Sequence, residues 1–309
     1  DRRFSGEVQR AVDGVRDRAE IRLYPASFIA LCATADPLSV AYHDIKSIAF
    51  DAEAYAIRIR SDEDVISLFK LGDRFDEFIA RVDVLRRALV ERVAGQLREL
   101  VPALSETDAL LLAHVAGHGR AFSKEEADAA APGNWSALRE AVAPDEERRN
   151  TLSQITEGVG EGSVLLGIMT EAGRADDSPT PAADQPAPNP RAAPGAQPAY
   201  TSWFLVARTD AKKVVLEVTS EPGHATYVFR AGSDVERDAR AISRALVALN
   251  FAREPIYLPS DKLEGGVRRR YQLALRKLPY LGTLREQFVG RAIHDGDWAA
   301  QLQELLAQT

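Results

Sequence analysis

The chain has 309 residues, a hydrophobic fraction of 45% and a formal net charge of −7. A chain of this length usually forms about two domains, and its apolar content is sufficient for packed cores. The negative charge excludes a general attraction to nucleic acid or to anionic membranes. No apolar run reaches the roughly 18 residues that a membrane span needs. The chain has a single cysteine, Cys32, so it cannot form an internal disulfide. We expect a soluble, cytoplasmic protein; the sequence begins at Asp1, so it does not tell whether an N-terminal segment has been removed.

Residues 1–20 carry many charges, with Phe4, Val8, Val12 and Val15 at nearly helical spacing. This spacing predicts a short amphipathic helix that leads into the first domain.

Residues 21–71 alternate apolar and polar side chains, which is typical of strands with one face on a core. In the segment AYAIRIR, for example, Tyr55, Ile57 and Ile59 are expected to face the core. The breaks between the apolar runs have turn composition and are short enough for antiparallel hairpins. The pattern predicts five strands, at about 21–32, 38–43, 45–50, 54–60 and 65–71.

The period then changes to that of a helix. Apolar residues recur every three or four positions from Phe75 to Leu97, which predicts one long helix with a single buried stripe. Asp73 is expected to cap this helix. The helix must cover an apolar surface, and the preceding strands provide the nearest one.

Several antiparallel strands followed by one C-terminal helix resemble the pleckstrin-homology-like (PH-like) fold. The segments LSVAYHDIKSIAFD and LFKLGDRFDEF are similar to bacterial members of that superfold. The resemblance implies an antiparallel barrel or sheet capped by a C-terminal helix over residues 1–100. It also raises phosphoinositide binding, for which the family uses basic residues between its first two strands. The corresponding loop, residues 33–37, contains no Lys or Arg, so phosphoinositide is not expected to be a partner.

Residues 101–160 have helical periodicity and predict a helical block. Ser105 is expected to cap its first helix, and Ser123 with Glu126 forms a capping box for the next. The following segment, 172–200, is rich in Pro and Ala and is predicted to be a disordered insertion.

Strand periodicity returns at Trp203 and continues to Phe229, and Ser233 with Glu236 is expected to begin a helix. The order strand, strand, strand, helix repeats the end of the first domain, and the segment from Phe229 to Val235 resembles the one from Phe69 to Phe75. We therefore predict a second PH-like unit formed by 161–171 and 201–255, in which residues 165–169 pair with a strand of 203–230. The remaining residues, 256–309, are predicted to form C-terminal helices.

The sequence offers few residues for catalysis. His114 and His118 have the spacing of two metal ligands on a helix, but the sequence shows no third ligand. The glycine-rich segment with Gly158, Gly160 and Gly162 lacks the Lys and Ser/Thr of a phosphate-binding loop. We therefore predict no catalytic, cofactor or metal site and no enzymatic activity. The dense basic cluster is the candidate site for an anionic partner: Arg268, Arg269, Arg270, Arg276 and Lys277.

Two functions remain open. One is a non-enzymatic interaction or scaffold protein that binds protein partners through exposed sheet edges or the groove beside a capping helix. The other is a nucleic-acid or chromatin-associated module that uses the basic helix 268–277. The sequence identifies neither the partner nor the biological process.

Overall fold

The computed structural model describes residues 3–11, 14–61, 64–170, 200–219, 225–249, 251, 253–263, 271–272, 275 and 279–308. The chain forms two compact units, Asp1–Gly95 and Gln96–Thr309. Each unit contains an antiparallel sheet and helices, which confirms the predicted α+β class.

The first unit contains a seven-stranded antiparallel sheet, whose strands are β1 (Arg3–Arg10), β2 (Arg16–Leu23), β3 (Ser27–Cys32), β4 (Leu38–Ala41), β5 (Ile45–Asp51), β6 (Ala56–Ser61) and β7 (Val65–Phe69). The strand order in the sheet is β4-β3-β2-β1-β7-β6-β5. Helix α1 (Phe75–Leu100) follows, as its apolar stripe predicts.

The predicted lead-in helix over residues 1–20 is wrong, because this region forms β1 and β2. Phe4 and Val8 are both buried, and a separation of four residues places two side chains on one face of a helix and also on one face of a strand. This spacing therefore does not distinguish a helix from a strand. The long strand predicted at 21–32 is likewise the end of β2 and all of β3, joined by a turn.

Helix α1 packs on the first sheet through Phe78, which is fully buried. Its ring lies edge-on to Phe4 and Phe28, with centroid distances of 5.3 Å and 6.1 Å. Ile57 and Ile59 are also fully buried, as their alternation predicts, but Tyr55 is 64% exposed. Tyr55 has a φ of 48° and lies in the turn before β6, so the strand alternation does not extend to it.

The predicted helical block comprises α2 (Glu106–Ala116), α3 (Lys124–Ala130), α4 (Trp135–Val142) and α5 (Glu146–Ile155). The Ser105 side chain accepts a hydrogen bond from the Asp108 amide, and Ser123 and Glu126 form the predicted capping box. The short strand β8 (Phe122–Ser123) lies between α2 and α3 and pairs with β9, so the block shares a sheet with the residues that follow it.

The second sheet contains β8, β9 (Val164–Thr170), β10 (Tyr200–Arg208), β11 (Lys213–Val218), β12 (Ala225–Arg230) and β13 (Phe288–Ile293), in the order β13-β12-β11-β10-β9-β8. Strand β9 (Val164–Thr170) pairs antiparallel with β10 (Tyr200–Arg208), with Leu165 opposite Leu205, which confirms the predicted pairing. The sheet continues through β11 (Lys213–Val218) and β12 (Ala225–Arg230), and α6 (Val235–Ala248) follows. Asp234 caps α6 in place of the predicted Ser233.

Both faces of the second sheet are buried. Every residue of β11 is buried, and in β10 the consecutive residues Trp203, Phe204 and Leu205 are fully buried. One face contacts α6, and the other contacts α4. A strand that is covered on both faces loses its alternation of apolar and polar residues.

The C-terminal region contains α7 (Glu254–Tyr257), α8 (Pro279–Gln287), β13 (Phe288–Ile293) and α9 (Trp298–Ala307). The prediction of helices alone over 256–309 is therefore wrong at β13, which pairs with β12 at the edge of the sheet. The predicted insertion lies outside the described residues, except for Tyr200, which begins β10. Among the helices described, none is long and apolar enough to cross a membrane.

Candidate functional site

The five predicted basic residues fall in a part of the chain whose placement is not described. These residues are Arg268, Arg269, Arg270, Arg276 and Lys277. The predicted anionic-partner site therefore stays a prediction. The candidate site that the structure describes consists of other residues.

A groove between α1 and β5 is the best-defined candidate in the first unit. Strand β5 lies at one edge of the sheet and pairs with β6. Within the described residues, no strand pairs with the other side of β5. An edge strand presents unpaired backbone donors and acceptors that can pair with another chain.

Two contacts hold α1 alongside β5. At one end, the ring of Phe75 lies 4.7 Å from that of Phe50, and at the other, the Arg86 guanidinium donates a 3.1 Å hydrogen bond to the Ile45 carbonyl. The helix rises about 16 Å from Phe75 to Arg86, and the strand covers about 16 Å from Ile45 to Phe50. Between these two contacts, the helix and the strand therefore run in opposite directions.

The floor of this groove is apolar. Phe50 lies opposite Ile57 and Ile48 opposite Ile59, so both face the same side of the sheet as these two buried residues. On the helix, Ile79 is four residues from Phe75 and lies on the same face. Ile48 and Ile79 are half-buried, so the groove is only partly covered.

Aromatic side chains mark the open end of the groove. Phe50 is 47% exposed and Tyr55 is 64% exposed, and their rings meet edge-on at 5.7 Å. Single exposed apolar residues are common on protein surfaces, whereas a contiguous apolar patch indicates an interaction site.

The β5–β6 turn positions Tyr55. The Asp51 carboxylate accepts hydrogen bonds from the amides of Glu53 and Ala54, at 3.1 Å and 3.0 Å, and pairs with Arg58 at 2.7 Å. The Ala54 amide is the main cause of a lowered pKa at Asp51, and the Arg58 charge acts in the same direction. This ionised carboxylate fixes the turn that places Tyr55 beside Phe50.

A buried polar cluster occupies the second unit. Glu217 is 5% exposed, and its carboxylate accepts hydrogen bonds from His294 Nε2 at 2.9 Å and from the Thr226 hydroxyl at 2.5 Å. Trp298 donates from Nε1 to Thr226 at 2.8 Å, and its ring stacks on that of His294. Because Thr226 is fully buried, its hydroxyl is not accessible to a substrate, and the cluster joins α9 to the sheet.

The charges around His294 favour its protonated form. Burial is the largest effect on its pKa and lowers it, but the hydrogen bond to Glu217 and the charges of Glu217 and Glu147 together raise the pKa above its ordinary value. When His294 is protonated, it therefore forms an ion pair with the Glu217 carboxylate inside this cluster. In the described ranges, no three or more His, Cys, Asp or Glu residues come together in a way that could hold a metal ion.

Sequence reasoning missed the residues of the groove. The strand predicted at 45–50 includes Phe50 with no sign of its exposure, and the predicted alternation places Tyr55 in the core, whereas both side chains are exposed. The turn composition of Asp51-Ala52-Glu53 was a signal that the residues beside it lie at the end of a hairpin.

Comparisons with known proteins do not assign a family. No protein-family model and no curated protein matches the chain. A crystal structure of the C-terminal domain of an unknown protein from Leishmania infantum shares 16% sequence identity, covering 26% of this chain and 80% of that chain with a TM-score of 0.23. This similarity is too low to support an argument about fold or function.

Proposed function

We propose that the protein is a non-enzymatic interaction or scaffold protein, with a PH-like module in its first unit and a second PH-like unit after the helical block. The strand order of the first sheet, followed by one C-terminal helix that buries Phe78, supports the first assignment. The order β10, β11, β12 and α6 supports the second.

One observation carries the proposed function: the edge of β5 and an exposed aromatic pair lie beside the helix that covers the sheet. An extended peptide can add to a sheet edge through backbone hydrogen bonds, while pockets beside that edge select its side chains. We infer that the partner supplies an extended segment of about five residues, the number that spans about 16 Å of β5. One of its side chains, aromatic or aliphatic, contacts Phe50 and Tyr55.

Selection from a random peptide library, with the full chain as bait, tests this proposal. We expect enriched peptides to carry an aromatic or aliphatic residue and to protect the amides of β5 from hydrogen exchange. The substitutions Phe50→Ser and Tyr55→Ser should abolish enrichment, because each removes apolar surface at the contact.

Val84→Ser is the matched control. Val84 is 54% exposed and nine residues from Phe75, so it lies on the opposite face of the same helix. The control should retain binding. Peptides that bind Phe50→Ser and Tyr55→Ser as well as the unchanged protein would contradict the proposal, as would a library that yields no binder.

Nucleic-acid binding through residues 268–277 is the alternative. It predicts salt-dependent retention on DNA or RNA that is lost when Arg268, Arg269 and Arg270 are changed to Glu. Absence of retention at low salt would remove this alternative.

A further inference from the structure

The open edge of β5 separates two faces of the first sheet, and these faces differ in charge. A segment that pairs with β5 extends the sheet by one strand, so its side chains point alternately to the face that α1 covers and to the opposite face. The residues beside β5 on each face therefore meet a different half of the partner's side chains.

The face that α1 covers is acidic beside β5. Asp76 and Asp83 lie three residues before and four residues after Ile79, so they share the face of the helix that carries this groove residue. Both aspartates are exposed, and both lie between Phe75 and Arg86, the two residues that hold α1 alongside β5. The helix rises about 10 Å from one aspartate to the other.

These two carboxylates have no internal cation to neutralise them. Arg86 and Arg87 are within about one turn of Asp83, but Arg86 donates to the Ile45 carbonyl and Arg87 to the backbone carbonyl of Asp83. Across the described residues, neither Asp76 nor Asp83 forms an ion pair. A partner cation therefore gains an attraction on this face, and a partner anion is repelled.

The opposite face of the sheet is basic beside β5. Ser47 and Ala49 of β5 lie directly opposite Arg60 and Arg58 of β6, and all four residues are exposed. Arg58 pairs with Asp51, whereas in the described ranges no carboxylate pairs with Arg60. An added strand would lie about 10 Å from β6, and the small side chains of β5 leave this space open to an arginine and a partner carboxylate.

We propose, building on the function proposed above, that the partner of the groove is an extended segment whose charges alternate with the strand period. Lys or Arg lies on the same face as the aromatic or aliphatic residue that contacts Phe50 and Tyr55, and Asp or Glu lies on the other face. The basic residues are therefore an even number of positions from this apolar residue, and the acidic residues an odd number. A segment with charges of one sign is attracted on one face and repelled on the other.

Two peptides of identical composition test this pattern on the unchanged protein. Each contains a central phenylalanine, two lysines, two glutamates, a threonine at each end and blocked termini. In the first peptide the glutamates are next to the phenylalanine and the lysines are two positions away, and in the second peptide the lysines and glutamates are exchanged. Both patterns are symmetric about the phenylalanine, so the comparison holds for either direction of pairing with β5.

Fluorescence anisotropy of the labelled peptides, titrated with the full chain, measures both affinities. We expect the first peptide to bind about tenfold more tightly, because the exchange replaces attraction by repulsion on both faces. The preference should disappear at about 1 M salt, where exposed charges are screened.

Single substitutions test which side chains cause the preference. Asp76→Asn, Asp83→Asn and Arg60→Gln should each reduce it about two- to threefold, because each removes one exposed charge. Glu91→Gln is the matched control: Glu91 is exposed and lies seven residues from Val84, on the face of α1 that points away from β5. This variant should keep the full preference.

Equal or reversed affinities of the two peptides would overturn the charge pattern, as would no binding of either peptide or an equal effect of Glu91→Gln and Asp83→Asn. The peptide comparison uses the unchanged protein, so it decides the outcome even if a variant fails to fold. The proposed function fails on a different result, because it requires only that library peptides bind and that Phe50→Ser and Tyr55→Ser abolish this binding. Library peptides that meet this requirement without the alternating charges would leave the groove in place and overturn the charge pattern alone.

Discussion

His294 donates a 2.9 Å hydrogen bond from Nε2 to the Glu217 carboxylate, across a separation of 77 residues in the sequence. The contact joins the end of β13 to β11, a strand that is buried on both faces. It also makes the stability of the second unit depend on the protonation of one imidazole.

The pH dependence of this contact has a definite sign. The pKa of His294 is raised in the folded protein, so protonation favours the folded state. The stabilisation is complete below the unfolded pKa of about 6.5 and is lost as the pH rises through the folded value. We expect the difference in unfolding free energy between the unchanged protein and His294→Gln to be largest in mild acid, on the order of 3 kcal/mol, and to shrink at higher pH.

Denaturant titrations at several pH values measure this difference. Glu147→Gln is a suitable comparison, because Glu147 acts on His294 through its charge alone and should have a smaller effect than the loss of the hydrogen-bonded partner. A difference that stays constant from pH 5 to pH 9 would show that His294 does not titrate in this range.

Gly167 in β9 should not accept a side chain. A methyl group at this position would lie 2.2 Å from Cε2 of Trp203, which is fully buried opposite it. Gly167→Ala should therefore lower the unfolding free energy by about 1–3 kcal/mol, measured by tryptophan emission during denaturation. A methyl group added at Gly282 in α8 would have no neighbouring atom within 4 Å. Because alanine favours a helix more than glycine does, Gly282→Ala should stabilise the protein by about 0.5–1 kcal/mol. Equal stability of the two variants would contradict the close approach of Gly167 and Trp203.

Local periodicity was sufficient to predict some elements and not others. The apolar stripe from Phe75 to Leu97 repeats over about six turns and fits only a helix, whereas the spacing of Phe4 and Val8 fits both a helix and a strand. In the second sheet, the strand periodicity predicted from Trp203 onward places every second residue in water, but Phe204 and Val206 are as fully buried as Trp203 and Leu205. A strand that contacts helices on both sides carries no periodic signal, so its burial depends on parts of the chain far away in sequence.

The candidate site shows the same limit. Phe50 is exposed because β5 is at the edge of its sheet, which depends on the strand order and not on the local sequence. The basic cluster at 268–277 could be identified from the sequence because its residues lie close together in the chain.

Phe78 should be the strongest link between α1 and the first sheet. Phe78→Ala removes a fully buried ring that contacts Phe4 and Phe28, and should destabilise the first unit by about 3–5 kcal/mol. Val84→Ala, at an exposed position of the same helix, should change stability by less than about 0.5 kcal/mol. Denaturation followed by far-UV circular dichroism measures the stability of both variants. Tryptophan emission reports the second unit, since Trp135, Trp203 and Trp298 all lie there. A Phe78→Ala protein with the dichroism profile of Val84→Ala would contradict the packing of α1 on the sheet.

Arg240 of α6 connects the helical block to the second sheet. Its guanidinium donates to both carboxylate oxygens of Glu126, at 3.0 Å and 3.3 Å, and to the Ala121 carbonyl at 3.2 Å. The same Glu126 carboxylate completes the capping box of α3, so one side chain holds the start of that helix and its contact with α6.

A double-mutant cycle with Glu126→Gln and Arg240→Gln should give a coupling energy of about 1–2 kcal/mol, because the pair is bidentate and partly buried. Lys124 and Asp128 form the control: they are in contact at 2.7 Å on the same helix α3 but are separated by one turn and more exposed. Their coupling should be about 0.3–0.5 kcal/mol. A coupling between Glu126 and Arg240 no larger than that of the control would contradict a stabilising role for this ion pair, and would leave the Arg240–Ala121 hydrogen bond and apolar contacts to hold the helical block against α6.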